Sequence, residues 1–168
     1  RILFISDAAF NTYPDLKQKA DILQNTVNFA RALGVECPKV ACLAAVEVVN
    51  PDMPCTLDAA ALVQMNQRGQ IKNCVVDGPL ALDNAINEEA AKIKKITSPV
   101  AGKADVLLVP HIDAGNMLAK AIVYFSKNDT AGIIVGAAAP VILTSRADSP
   151  RAKFLSIAAA VMMAHHAG

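Results

Sequence analysis

The chain has 168 residues, of which 54% are apolar and 4% aromatic, and its 16 basic and 15 acidic residues leave a formal net charge of +1. This balance, without a basic cluster, argues against binding to nucleic acid. No apolar run approaches the roughly 20 residues that span a bilayer. The first residues also show no signal-peptide pattern, so we expect a cytoplasmic protein.

Segments rich in Val, Ile and Leu alternate with segments of helical periodicity, which is typical of βα units. Six strands are predicted, the last two short and locally paired: residues 2–6, 40–46, 73–77, 104–109, 133–135 and 141–143. Five helices are predicted: residues 15–33, 56–68, 80–95, 114–125 and 149–166. We expect one α/β domain over residues 1–168, with a mixed, mostly parallel sheet and helices on both faces.

Several helix ends carry local signals. Gly34 is a natural stop for the first helix. Thr56 and Asp113 are candidates to cap the starts of the second and fourth helices. Ser149 followed by Pro150 predicts the start of the last helix, with a capping hydroxyl and proline at the first helical position.

The spacing of the four cysteines matches neither a zinc site nor a disulfide scaffold: Cys37, Cys42, Cys55 and Cys74. We therefore expect buried, free thiols in a reducing compartment, and no metal site. No histidine is close to a cysteine in the sequence, which argues against a cysteine nucleophile. His165 and His166 fall in the last helical turn, where capping or simple exposure explains them.

Ligands of open α/β sheets bind outside the carboxyl ends of the strands, and three segments there are rich in polar residues. In the first, Asp77 ends a predicted strand and Gly78 lets the backbone approach a ligand. The alternative is that Asp77 and Asp83 are turn and capping residues.

The second segment begins the helix after the fourth strand. Gly115 and Asn116 lie near its start, where free N–H groups and the positive end of the helix dipole suit an anion such as phosphate. The alternative, that Gly115 merely allows tight packing against the strand, is equally open.

The third segment joins the last strand to the last helix. The planar guanidinium of Arg146 matches phosphate oxygens, and the hydroxyls of Thr144, Ser145 and Ser149 are further donors. The alternative is an ordinary exposed loop arginine. The sequence has no glycine-rich phosphate loop for a nucleotide.

Four blocks of sequence together resemble the phosphate acetyl/butyryl transferase family, in its order and spacing: VDGPLALDNA (76–85), SPVAGKADVLLVP (98–110), AGNMLAK (114–120) and APVILTSRADSP (139–150). The resemblance extends from Leu3 to the last helix. It implies a two-domain enzyme, with a fold similar to that of the isocitrate and isopropylmalate dehydrogenases, that moves an acyl group between coenzyme A and inorganic phosphate in a ternary complex. It further implies coenzyme A as a substrate, no tightly bound cofactor, no metal, and a homo-oligomer such as a dimer.

By motif, Ser145 and Arg146 fall where the family places its phosphate- and carbonyl-polarising pair, and Asp148 is the nearest acid. Acetyl-transferring members carry a proposed thiol base several residues later, where this chain has Ser149 to Ala152, so the base is unassigned. The other residues that the motifs assign to phosphate or coenzyme A are Asp77, Gly78, Gly115, Asn116, Lys120, Thr144 and Ser149.

The motif SRADSP (145–150) is more similar to the butyryl branch of the family than to the acetyl branch. The family's first domain has no counterpart in this chain, so we expect the chain to be the second part of the enzyme and inactive alone. The rival interpretation is a non-catalytic module of the same fold that senses acyl phosphate or acyl-CoA, or supplies a dimer surface.

Overall fold

The structure, a computed structural model, describes residues 1–126 and 128–166. Its strands are β1 Phe4–Ser6, β2 Lys39–Leu43, β3 Val75–Leu80, β4 Val106–Leu108, β5 Ile133–Ile134 and β6 Val141–Ile142. Its helices are α1 Leu16–Ala32, α2 Pro54–Gln67, α3 Leu82–Ile86, α4 Glu88–Ile93, α5 Ile112–Ser126 and α6 Pro150–His166.

The first four strands form a parallel sheet in the order β1-β4-β2-β3. Strands β5 and β6 pair antiparallel, as the sequence predicts, but they form a separate two-stranded sheet. The expected mostly parallel sheet is confirmed, and the mixture of parallel and antiparallel pairs is divided between two sheets.

Side chains of the parallel sheet alternate between two apolar clusters, as the period of two in a strand requires. In β4 and just after it, Val106 and Leu108 belong to one cluster and Leu107 and Val109 to the other. The first cluster includes buried residues of α1 and α2, and the second includes those of α3 and α4, with Leu118 of α5 packed against it. The prediction of helices on both faces is confirmed.

Local signals place several helix ends correctly. Asp15 caps α1 through a capping box with Gln18, and Gly34 follows that helix with φ of +92°, a conformation that glycine adopts without strain. The Ser149 Oγ accepts a hydrogen bond from the Ala152 N–H at 3.1 Å, and Pro150 is the first residue of α6.

The cap predicted at Thr56 is wrong. Helix α2 begins two residues earlier, at Pro54, and its N-cap residue Met53 makes no side-chain capping bond. Thr56 lies inside the first turn, where its hydroxyl donates to the carbonyl oxygens of Asn50 and Met53 and accepts the Asn50 N–H. The Thr56 N–H donates to the Met53 carbonyl oxygen at 2.9 Å, and the fixed φ of Pro54 suits the first helical position, which favours the earlier start.

The single helix predicted over residues 80–95 is also wrong. Two short helices, α3 and α4, replace it, because Asn87 is extended, with φ of −122° and ψ of 116°. The Asn87 side chain accepts hydrogen bonds from the N–H groups of Glu89 and Ala90 and so starts a new helix. Asparagine side chains compete with helix continuation in this way.

Strand β3 continues to Leu80 instead of stopping at Asp77. Gly78 permits this, because a Cβ atom there would stand 2.7 Å from the Cβ of Cys42 in the neighbouring strand. The Ala44 N–H donates to the Leu80 carbonyl oxygen at 2.9 Å and extends the contact between β2 and β3.

The cysteines are free, as expected, but only Cys42 is buried. Cys37 lies just before β2 and is exposed, and the other two thiols are half-buried. Burial in the core raises the pKa of the Cys42 thiol to about 12. In residues 1–126 and 128–166, no helix is long and apolar enough to cross a membrane, and no group of His, Cys, Asp and Glu could hold a metal ion.

Candidate acyl-transfer site

The order of the strands makes crevices at the carboxyl edge of the sheet. Strands β1 and β4 are neighbours, yet α1 after β1 packs on one face, and Leu118 of α5, after β4, packs on the other. The same holds for β2 and β3, which lead to α2 and α3 on opposite faces. Ligands of open α/β sheets bind in crevices of this kind.

Helix α5 starts against the loop that follows β1. A Cβ atom on buried Gly115 would stand 2.7 Å from the Asp7 carbonyl oxygen, and the Asn116 Nδ2 donates to the Ala8 carbonyl oxygen at 3.1 Å. The Gly115 N–H already donates to the His111 carbonyl oxygen at 3.1 Å, so it is not one of the free donors at the helix start. Of the two interpretations of Gly115, this geometry supports tight packing.

Asp7 organises the loop after β1. Its carboxylate accepts hydrogen bonds from the N–H groups of Ala9, Phe10 and Asn11 and from the Asn11 Nδ2. Burial opposes ionisation, but these hydrogen bonds together lower the pKa of Asp7. Asp7 directly follows β1 and so meets the criterion that pointed to Asp77, but its role was not predicted.

Three titratable side chains from two chain segments meet beside this loop. The Tyr13 hydroxyl donates to the Asp113 Oδ2 at 2.6 Å, and this hydrogen bond raises the pKa of Tyr13. The His111 Nδ1 lies 3.8 Å from the same Asp113 oxygen, and the rings of Tyr13 and His111 are 5.4 Å apart. Asp113 lies in the first turn of α5, so its predicted role as the cap is wrong. The Ala114 N–H instead points to the His111 Nδ1 at 3.5 Å.

The second crevice holds a network between the loop after β2 and the helices after β3. The buried Asn84 Nδ2 donates to the Glu47 Oε1 at 2.6 Å, and the Lys94 Nζ contacts Glu47 at 2.7 Å and Asp83 at 3.0 Å. Hydrogen bonds from Lys94 lower the pKa of Glu47 and of Asp83. Asp83 is therefore part of an ion pair as well as of the first turn of α3.

Asp77 and Gly78 lie within β3, near its carboxyl end. Asp77 pairs in register with Ala41, and its Oδ1 accepts the Gly78 N–H at 2.8 Å. The Asp77 side chain is half-buried. Asp77 is therefore a strand residue, so the turn-forming role considered for it is wrong, and among the described residues its Oδ2 makes no hydrogen bond.

The loop between β6 and α6 forms a compact turn. The Asp148 Oδ2 accepts the Ser145 N–H at 2.6 Å, and the Asp148 N–H donates to the Ser145 carbonyl oxygen at 3.1 Å. Arg146 is exposed between them, and within the described residues its guanidinium makes no hydrogen bond or ion pair. The hydroxyl of half-buried Thr144 belongs to the same loop.

In the part of the chain that the structure describes, two of the three predicted polar segments contact other loops at the carboxyl edge of the sheet, and the third does not. The Gly115 and Asn116 segment joins the β1 loop, and Asp83 joins Glu47 and Lys94. Among residues 1–126 and 128–166, no hydrogen bond or ion pair links the loop of residues 144–149 to either crevice. Lys120 is exposed on α5, one turn after Asn116.

Comparison with known proteins connects these segments to one family. A family model described as phosphate acetyl/butaryl transferase matches residues 1–161. The phosphate butyryltransferase of Clostridium acetobutylicum is 58% identical over 164 residues, which are 98% of this chain and 54% of that protein. The phosphate acetyltransferase of Thermotoga maritima is 55% identical over 164 residues, again 98% of this chain and 56% of that protein. The chain thus spans about half the length of these relatives.

A crystal structure of a branched-chain phosphotransacylase from Enterococcus faecalis superimposes with a TM-score of 0.87 at 39% identity. The superposition covers 96% of this chain and 58% of that one. Sequence and fold agree over almost the whole chain, and the chain belongs to the phosphate acetyl/butyryl transferase family.

Proposed function

We propose that this chain supplies one wall of the active site of a phosphate acyltransferase, which moves a butyryl or acetyl group reversibly between coenzyme A and inorganic phosphate. The observation that carries the proposal is the family match over residues 1–161 together with the ordered Ser145–Asp148 turn. Coenzyme A is a substrate in this proposal, and no tightly bound cofactor or metal takes part.

Arg146 and Ser145 have the chemistry that the reaction needs. The site must hold a phosphate dianion and stabilise the oxyanion that forms when the acyl carbonyl is attacked. A guanidinium without an ion pair in the described residues is available for both tasks, and the Asp148 carboxylate holds the turn that presents it. Thr144, Ser149 and Lys120 are further donors to phosphate or coenzyme A, with Asp77, Gly78, Gly115 and Asn116 shaping the crevices.

The remainder of the protein forms the opposite wall in this proposal. All three residues of the segment 141–143 are large, apolar and exposed, as are Phe154, Ile157 and Val161 on α6. The buried residues of both apolar clusters lie between Phe4 and Val109, so these faces belong to neither core. We propose that they pack against another domain of the whole protein or a second subunit of a cytoplasmic dimer. The whole protein then has a two-domain fold similar to that of isocitrate dehydrogenase, and the chain alone is inactive.

Replacing Arg146 in the longer protein that carries this chain tests the proposal. Arg146→Ala is expected to lower kcat/KM for butyryl-CoA and phosphate by about 10²-fold or more, because a preorganised charge facing the oxyanion is lost. Arg68→Ala is the matched control, since Arg68 is exposed at the end of α2.

Three outcomes contradict the proposal or part of it. Unchanged turnover in Arg146→Ala removes Arg146 from the site. Coenzyme A binding by the unsubstituted protein without any turnover points instead to a non-catalytic sensor of the same fold. Butyryl phosphate formation by residues 1–168 alone contradicts the need for a second wall.

A further inference from the structure

The cluster of Tyr13, His111 and Asp113 occupies the crevice between β1 and β4. Tyr13 comes from the loop after β1, while His111 and Asp113 come from the turn after β4 and the start of α5. The Ile112 N–H donates to the Thr12 carbonyl oxygen at 3.0 Å and ties the two segments together. The cluster is therefore built at the kind of crevice where open α/β sheets bind their ligands.

The proposed reaction needs a base that this cluster can provide. A coenzyme A thiol has an ordinary pKa of about 8.5, so it must lose its proton as it attacks. The Asp148 carboxylate is already engaged with the Ser145 N–H at 2.6 Å, within its own turn. Imidazole is the side chain that most often acts as a general base near neutral pH.

We propose that His111 is the base that accepts the proton of the coenzyme A thiol, and that Asp113 and Tyr13 position its ring. This inference rests on the proposed acyl transfer. The thiol proton passes to the His111 Nε2 as the sulfur forms a bond to the acyl carbonyl carbon. The bond from that carbon to the phosphate oxygen then breaks, the electron pair leaves with phosphate, and the imidazolium returns its proton to the departing phosphate. In the reverse direction, the imidazolium protonates the departing thiolate.

Asp113 and Tyr13 fix the ring for this role. The Tyr13 hydroxyl holds the Asp113 carboxylate at 2.6 Å, and that carboxylate lies 3.8 Å from the His111 Nδ1. The Ala114 N–H, at 3.5 Å from the same nitrogen, is at the limit of hydrogen-bond length. Catalytic hydrogen bonds are often long in ligand-free sites and tighten when substrate binds. To act as a base, the neutral ring must carry its own proton on Nδ1, so Nδ1 gives up the Ala114 N–H and donates to the Asp113 carboxylate, and the Nε2 lone pair then accepts the thiol proton.

Among the described residues, two titratable side chains interact with the His111 ring. Asp113 faces it from its own helix, and Tyr13 faces it from the loop after β1. Asp7, in the same loop, directs its carboxylate to its own backbone N–H groups and to Asn11. His111 is half-buried, so its ring is accessible to a substrate.

The test uses the longer protein and follows the reaction of coenzyme A with butyryl phosphate. His111→Asn is expected to lower kcat about 10²- to 10⁴-fold and to abolish the fall in kcat/KM for coenzyme A at low pH. His111→Ala is expected to recover activity when free imidazole is added. Tyr13→Phe and Asp113→Asn are expected to lower kcat less, without changing KM for butyryl phosphate. His165→Asn is the matched control, because His165 is exposed in the last turn of α6.

The outcomes separate this inference from the proposed function. Wild-type kcat and an unchanged pH profile in His111→Asn overturn the assignment of the base and leave acyl transfer intact. Loss of activity without rescue by imidazole, in a His111→Ala protein that keeps the wild-type Tm, also overturns it. An unsubstituted protein that transfers no acyl group overturns both.

Discussion

Gly115 lies so close to Asp7 that a Cβ atom on the glycine would stand 2.7 Å from the Asp7 carbonyl oxygen. The same atom would be 3.0 Å from the Cα of Ala8. This close contact holds the start of α5 against the loop after β1. It thereby fixes the distance between the two segments that carry Tyr13 and Asp113.

Gly115→Ala is expected to destabilise the protein by about 1 to 3 kcal/mol, because the new methyl group must displace backbone atoms of Asp7 and Ala8 as well as the Val109 Cγ2, 2.7 Å away. Urea denaturation measures the change in the free energy of unfolding. Gly132→Ala is the matched control: its nearest neighbour would be the Leu143 carbonyl oxygen at 3.5 Å, so a change within about 0.5 kcal/mol is expected. Equal losses in the two variants would show that close approach is not what Gly115 provides.

Asp7→Asn is expected to remove part of the acid sensitivity of the fold. The hydrogen bonds to Asp7 outweigh its burial and lower its pKa in the folded state. The ionised carboxylate therefore stabilises the fold above its unfolded pKa of about 3.9, and this stabilisation is lost as the pH falls through the folded pKa. The difference in unfolding free energy between wild type and Asp7→Asn should be constant from about pH 5 to 8 and shrink below about pH 4.

Asp21→Asn serves as the control for Asp7, because Asp21 is exposed on α1 and makes no hydrogen bond in the described part of the chain. It should differ little from wild type at every pH. A difference for Asp7→Asn that persists unchanged at pH 3 would contradict the role of the carboxylate.

Features with a local cause could be predicted from the sequence. The stop at Gly34 and the start at Ser149 and Pro150 were predicted because each signal lies within a few residues of the helix end it specifies. Asn87 was also a local signal, but the apolar periodicity of residues 80–95 outweighed it and concealed the division into α3 and α4. The start of α2 was misplaced because Pro54 and Thr56 are both start signals, two residues apart.

The site depended on contacts that no local pattern contains. Tyr13 and Asp113 are 100 residues apart and meet only because β4 lies beside β1. Strand order is set by which apolar faces pack together, and the strands' own sequences do not encode it. For the same reason, the hydrogen bond between Glu47, just after the second predicted strand, and Asn84, within the helix predicted over residues 80–95, could not be anticipated.

Asp58→Ala is expected to cost roughly 3 kcal/mol of stability, because it leaves the ammonium of Lys19 buried without its partner. The Lys19 Nζ contacts the Asp58 Oδ2 at 2.6 Å, and only 9% of the Lys19 side chain is exposed. The double variant Lys19→Met/Asp58→Ala removes the unpaired charge and should recover much of the loss in urea denaturation. A loss in the double variant that equals the sum of the losses in Lys19→Met and Asp58→Ala would show that the pair does not interact.

Asn84→Asp places a second carboxylate where the Asn84 Nδ2 now donates to Glu47 at 2.6 Å. Because Asn84 is fully buried, the pKa of the introduced acid is expected to be raised by burial and by Glu47. The destabilisation should therefore grow as the pH rises and reach about 3 kcal/mol at pH 8, and it should diminish toward pH 5 as the acid binds a proton. Unfolding in urea at the two pH values measures it.

Asn87→Asp is the matched control for this substitution, since it makes the same chemical change three residues away. The Asn87 oxygen accepts the N–H groups of Glu89 and Ala90 at the start of α4, and a carboxylate accepts them equally well. Its negative charge also complements the positive end of the helix dipole. The stability of the control should therefore match that of the wild type at both pH values. A loss of stability that is confined to Asn84→Asp and grows from pH 5 to pH 8 identifies the contact with Glu47 as its cause. Equal losses in the two variants would contradict that cause.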